Sequence, residues 1–105
     1  MELTTELYKV TKHYPHDELF GLVSQMRRAT VSIASNIAEG YGRSTNTDLI
    51  HFLYNSLGSS NELETQLIIS KNLGYINDIE FSALEKMNEE VNAKLRSLID
   101  ARSKF

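Results

Sequence analysis

The sequence predicts an all-α protein, an antiparallel up-down-up-down four-helix bundle, and three observations lead there. Apolar residues recur at spacings of three and four through nearly the whole chain. Only one proline and five glycines interrupt 105 residues. The segments between the apolar patterns are short, and short connections between long helices force neighbouring helices to run antiparallel. With no fixed-period repeat, low-complexity tract or flexible linker, residues 1–105 read as a single domain.

The first pattern, Leu3, Leu7, Val10 and Tyr14, predicts a helix over 2–13 that stops where Pro15 disfavours helix at Tyr14. Leu22, Met26, Ala29, Ile33 and Ile37 mark a second helix over 22–40, with Gly40 and Gly42 as C-terminal caps. The run STNTDL supplies N-cap candidates for a third helix over 46–73, stopped by Gly74. Asn77 or Asp78 then caps a fourth, over 78–103, whose apolar positions are Phe81, Leu84, Met87, Val91, Leu95 and Leu98. On the third helix Leu49, Ile50, Phe52, Leu53, Tyr54, Leu57, Leu63, Leu67 and Ile68 span about 200° of arc, against about 120° on the fourth. A helix that wide is expected to bury two sides. Exposed apolar area of this kind marks subunit contacts, which predicts a homo-oligomer.

Composition narrows the function classes. The absence of cysteine excludes disulfides, zinc ribbons and thiol nucleophiles and is compatible with a reducing cytoplasm. The longest stretch free of acidic and basic residues, Leu49 to Asn61, is too short and polar to span a bilayer, so a cytoplasmic protein without a membrane partner is expected. Net charge is −3, against the bulk basicity of a protein that binds nucleic acid through phosphate neutralisation. The acidity lies in the second half: residues 1–45 hold five basic and five acidic side chains, residues 46–105 six and nine.

Gln25, Arg28, Ser32, Asn36, Glu39 and Arg43 fall three or four apart and form one polar ladder along the second helix, within which Glu39 and Arg43 can pair. Ser56, Ser60 and Glu64 lie inside the apolar arc of the third helix, so Glu64 is expected to meet Arg28, Asn36 or a neighbouring subunit. These groups, with Glu62, read either as a structural network that fixes register and assembly or as a site. No glutamate is followed by histidine three residues later, as a ferritin-like di-metal centre requires. His13, His16 and His51 read as surface histidines. No Gly-x-Ser-x-Gly elbow or P-loop occurs, so neither metal, cofactor nor enzyme chemistry is predicted. Lys9, Lys12, Arg27 and Arg43, with Arg28, are candidates for a basic patch near the ends of the second helix, where Tyr8, Tyr14 or Tyr41 can stack on bases.

The segments GLVSQMRRATVSIASNIAEGYGR and DLIHFLYNSLGSSNELETQLIISKNLGYI closely resemble the four-helix-bundle proteins encoded in intervening sequences of 23S rRNA genes. The resemblance runs from Leu7 to Ile76 and rests on Ser32, Asn36, Ile37, Ala38, Glu39, Gly40, Arg43, Phe52, Gly58, Ser59, Glu62, Glu64 and Gln66. The fourth helix matches in character only. The resemblance implies a homopentamer, and a similar accessory protein of diversity-generating retroelements works with reverse transcriptase and nucleic acid. Three departures stand out: Ala34 occupies a position where many relatives have proline, the chain begins where relatives have two or three further turns, and it is acidic where the retroelement relatives are basic. The expected function is a non-enzymatic oligomeric scaffold that contacts RNA or a nucleic-acid enzyme. The alternative is a protein-binding assembly module without nucleic-acid affinity.

Overall fold

The computed structural model describes residues 1–104 and contains four α-helices: α1 (Glu2–Thr11), α2 (Leu22–Tyr41), α3 (Asn46–Asn72) and α4 (Asp78–Arg102). α1 ends two residues before the expected boundary. His13 and Tyr14 close tight turns onto Val10 and Thr11 instead of continuing the helix, as the residue before Pro15 must. Pro15 then opens a single 3-10 turn, His16–Glu18, which the apolar pattern did not foreshadow.

α2 runs through Gly40, which is a buried helical residue and not a cap. A Cβ there would lie 3.0 Å from Phe52 Cβ and 3.1 Å from Leu49 Cδ1, so glycine is needed for α2 and α3 to approach. α3 starts at Thr45, whose side chain accepts from the Asp48 amide at 3.2 Å. It stops at Gly74, whose φ of 77° lets the Tyr75 amide reach back to the Ser70 carbonyl at 3.0 Å. A capping box of Asn77 and Glu80 begins α4, with bonds of 2.7 and 3.1 Å.

α3 packs along both α2 and α4, and α1 covers part of the groove on the other side, touching α2 and α4. Met26 meets Ser70, Ile33 meets Ser56 and Gly40 meets Leu49, so α2 and α3 run in opposite directions; contacts of Asn46 with Arg102 and Ser60 with Asn88 reverse α4 against α3 in the same way. Leu3, Leu7, Val23, Met26, Ile33, Leu53, Leu63, Leu67, Leu84 and Leu95 fill one hydrophobic cluster. Each such side chain contributes about 1.5–3 kcal/mol by leaving water. The wide apolar arc of α3 is thus partly accounted for by its two neighbours. Ile50, Phe52 and Leu57 remain half-buried, and Tyr54 and Ile68 are exposed. Among the described residues no helix is long and apolar enough to cross a membrane.

Candidate functional site

The expected ladder lies along the outer edge of the α2/α3 seam. Ser59 Oγ donates to Ser32 Oγ at 2.9 Å, and Asn36 Nδ2 donates to the Ser32 hydroxyl and carbonyl at 3.0 and 2.9 Å. One turn away, Gln66 Nε2 donates to Glu62 Oε1 at 3.0 Å, while Gln66 Oε1 is buried without a partner among the described residues. Gln25, Arg28, Ala29, Ser32, Ser59 and Glu62 line a small cleft of about 110 Å³ between the helices. At the far end of the ladder Arg43 pairs with Glu39 at 2.7 Å and lies 4.8 Å from the centre of the Phe52 ring. Both partners of that pair are about half exposed, so it adds little to stability.

Glu64 does not join this network within the chain. It lies one residue beyond Leu63, about 100° round the helix from the buried row, and is exposed on the α4 side. There it shares a cleft of about 510 Å³ with Asn61, Glu89, Asn92, Ala93 and Arg96. Burial pushes the neighbouring Glu85 carboxyl above the usual carboxylate range, and Glu89 and Glu64 add to the shift. Ser56 and Ser60, placed in the apolar arc by the sequence, are fully buried and bonded. Ser56 Oγ donates to the Ile33 carbonyl at 2.8 Å and Ser60 Oγ to Asn88 Oδ1 at 2.8 Å.

Asn88 was not foreseen as a polar anchor. Its amide returns a bond to the Ser60 carbonyl at 3.0 Å, and Asn92 Nδ2 reaches Ser60 Oγ and Asn61 Oδ1 at 3.1 and 2.9 Å. The signal was present: Asn88 stands four residues after Leu84 and seven before Leu95, inside the apolar stripe.

The basic candidates fall into two groups. Arg27 is held against α1, its guanidinium 4.5 Å from the Tyr8 ring centre and its Nε bonded to Thr11 Oγ1 at 3.1 Å. Lys9 on the same helix and Lys12 at its C-cap are exposed. Arg43 stands just past the far end of α2 from Arg27, two residues after Tyr41, beside a different cleft that includes Tyr41, Thr45 and Arg102. Tyr14 is buried against Tyr75 at the closed end of the bundle and is not available to stack on a base. Burial pushes its phenol upward, with the Ser70 hydroxyl opposing the shift, although no hydrogen bond of good geometry reaches the Tyr14 oxygen. His13, His16 and His51 are exposed, and among the described residues no three metal-ligating side chains converge.

The family model described as 23S rRNA-intervening sequence protein matches residues 1–97. The chain belongs to this family. Membership extends over all of α1 and most of α4, beyond the 7–76 stretch that carries the sequence resemblance. A crystal structure of a protein of unknown function from the S23 ribosomal protein family of Bacteroides thetaiotaomicron superposes with a TM-score of 0.87 at 25% identity, covering 94% of this chain and 89% of that one. No curated protein matches the chain. Within this member of the family, the residues that carry the resemblance and touch one another, Ser32, Asn36 and Ser59, then Glu62 and Gln66, then Glu39, Arg43 and Phe52, lie along the α2/α3 seam.

Proposed function

We propose that this chain is a non-enzymatic scaffold, a single up-down-up-down bundle that assembles as a homopentamer in the cytoplasm and contacts RNA through the α1/α2 surface. What supports the RNA contact is that Arg27 of α2 packs on Tyr8 and Thr11 of α1, and that α1 and its C-cap carry the exposed Lys9 and Lys12 next to those two residues in the chain. None of the three cations enters an ion pair among the described residues. Cations next to an aromatic ring suit a phosphate backbone with unstacked bases. The ribosomal and rRNA terms in the descriptions of the family and of its solved relative support an RNA setting. The exposed Tyr54 and Ile68 on α3 support assembly.

A second reading, an assembly module that binds protein alone, is favoured by the net charge of −3 and by the tie of Arg27 to Thr11 and Tyr8, which occupies part of its donor capacity. Fluorescence anisotropy of labelled structured RNA across a salt series separates the two. The RNA reading expects salt-dependent binding that is lost when Lys9, Lys12 and Arg27 are changed together to alanine and kept in Arg43→Ala, with the salt slope falling by about one for each phosphate contact removed. No binding at low salt leaves the protein-binding module.

A further inference from the structure

The seam between α2 and α3 holds polar groups that its own bonds leave unused. Ser32 Oγ accepts from Ser59 Oγ at 2.9 Å and from Asn36 Nδ2 at 3.0 Å. Two hydroxyls joined by one bond keep one proton over, and no acceptor for it stands among the described residues. Gln25 and Arg28, which line the cleft of about 110 Å³ beside this pair, form no side-chain hydrogen bond or ion pair among the described residues.

Glu62 supplies an acid to the same cleft from α3. One of its oxygens accepts from Gln66 Nε2 at 3.0 Å, and the other has no partner among the described residues. Gln66 is 5% exposed, and its amide carbonyl is buried and unpaired among the described residues. An orphaned buried carbonyl costs stability. What this amide does in return is fix an exposed carboxylate at the edge of a cleft.

A guanidinium and a carboxylate therefore border one small cleft without pairing with each other. Arg28 stands on the crest of α2 and also borders the cleft beside Arg27, but a carboxylate faces it on the α3 side alone. A ligand of one charge would meet its opposite at one group and its like at the other, and like-charge juxtaposition cancels the gain. A ligand that carries both charges satisfies both, and the spare hydroxyl proton and the Gln25 amide serve its remaining donors and acceptors. Room for roughly four waters, at about 30 Å³ each, limits such a ligand to about five or six heavy atoms. The buried methyl of Ala29 in the same wall suits an apolar carbon. A small free amino acid holds its carboxylate and ammonium on one such carbon.

We infer that the α2/α3 seam binds a zwitterion of glycine or alanine size, its carboxylate on Arg28 and the Ser32–Ser59 hydroxyl pair and its ammonium on Glu62. The site adds a ligand to the proposed scaffold and depends on neither its RNA contact nor its assembly.

Isothermal titration calorimetry of the full chain at neutral pH, with glycine and with L-alanine, tests it. One molecule per chain is expected, with a dissociation constant of about 1 mM or below for at least one of the two, a value within reach of so few atoms. Acetate and methylammonium, which carry one of the two charges each, are expected to bind at least about tenfold more weakly. Arg28→Gln and Glu62→Gln are each expected to weaken the amino acid by about tenfold or more. Both side chains are exposed, and the new glutamine at 62 keeps an oxygen for Gln66, so both variants retain the fold, as circular dichroism checks. A wild type that binds neither amino acid overturns the site. So does acetate or methylammonium binding as tightly as the amino acids, and so does amino-acid binding that both variants retain.

Discussion

The two sides of α3 solve the same problem differently. Toward α4, the register is fixed by a buried amide: Asn88, 2% exposed, exchanges two hydrogen bonds with Ser60, and Asn92 adds a third. Toward α2, leucine packing and a buried glycine set the distance, and most of the polar bonds stay at the rim, where Ser32, Ser59 and Asn36 are only half-buried. A polar group inside an apolar seam allows one alignment of the helices, since any slip leaves it unpaired at a cost of about 1–3 kcal/mol. A rim network gives direction at less cost and less rigour.

The largest effect should therefore follow loss of the amide. Asn88→Ala leaves the Ser60 hydroxyl and carbonyl short of their partner and opens a cavity, and is expected to destabilise by about 2–4 kcal/mol in urea unfolding. Ser59→Ala on the opposite seam, where Ser32 keeps its bond from Asn36, is expected to cost less than about 1 kcal/mol. Equal losses in the two variants would break the contrast between the seams.

The next effect compares two glycines. Gly40→Ala places a methyl against Phe52 Cβ, Leu49 Cδ1 and the Leu49 carbonyl at 3.0 to 3.3 Å, and should cost about 1–3 kcal/mol as α2 and α3 are pushed apart. Gly58→Ala meets nothing and should stabilise the folded chain by up to about 1 kcal/mol, since it only removes the backbone freedom of the unfolded state. Thermal unfolding of both variants checks the signs.

The helices were readable because their signals are local. Spacing, Asn77 before Glu80 and Gly74 after Leu73 depend on nearest neighbours along the chain, and the eight ends of the four helices fall within two residues of expectation. Gly40 was misread as a cap because a glycine required for close helix approach and one required for chain reversal look alike until the facing helix is known. Glu64 was placed among leucines because an arc of 200° includes positions that neither α2 nor α4 covers. The ladder was legible as a helix edge, and its partner Ser59 was within the recognised motif. Phe20 belongs to no periodic pattern, and only the turn after Pro15 turns it outward.

The smallest effect concerns a buried polar group that lacks what Asn88 has. The Tyr14 hydroxyl sits at the end of the bundle beside Ser70, whose own hydroxyl donates to the Gln66 carbonyl at 2.9 Å, and it finds no partner of good geometry among the described residues. Removing it in Tyr14→Phe keeps the ring against Tyr75 at 5.4 Å and is expected to change stability at neutral pH by no more than about 0.5 kcal/mol, of either sign. The alkaline limb is more telling. Burial raises the Tyr14 pKa in the folded state above its ordinary 10.0, so the unfolded chain releases this proton first and stability falls as pH rises past that value. Tyr14→Phe removes the contribution, and its stability between neutral pH and about pH 11 should decline less than that of the wild type. Parallel declines in denaturant titrations at the two pH values would show that Tyr14 ionises as freely in the fold as outside it, and that the closed end of the bundle admits water where the Asn88 seam does not.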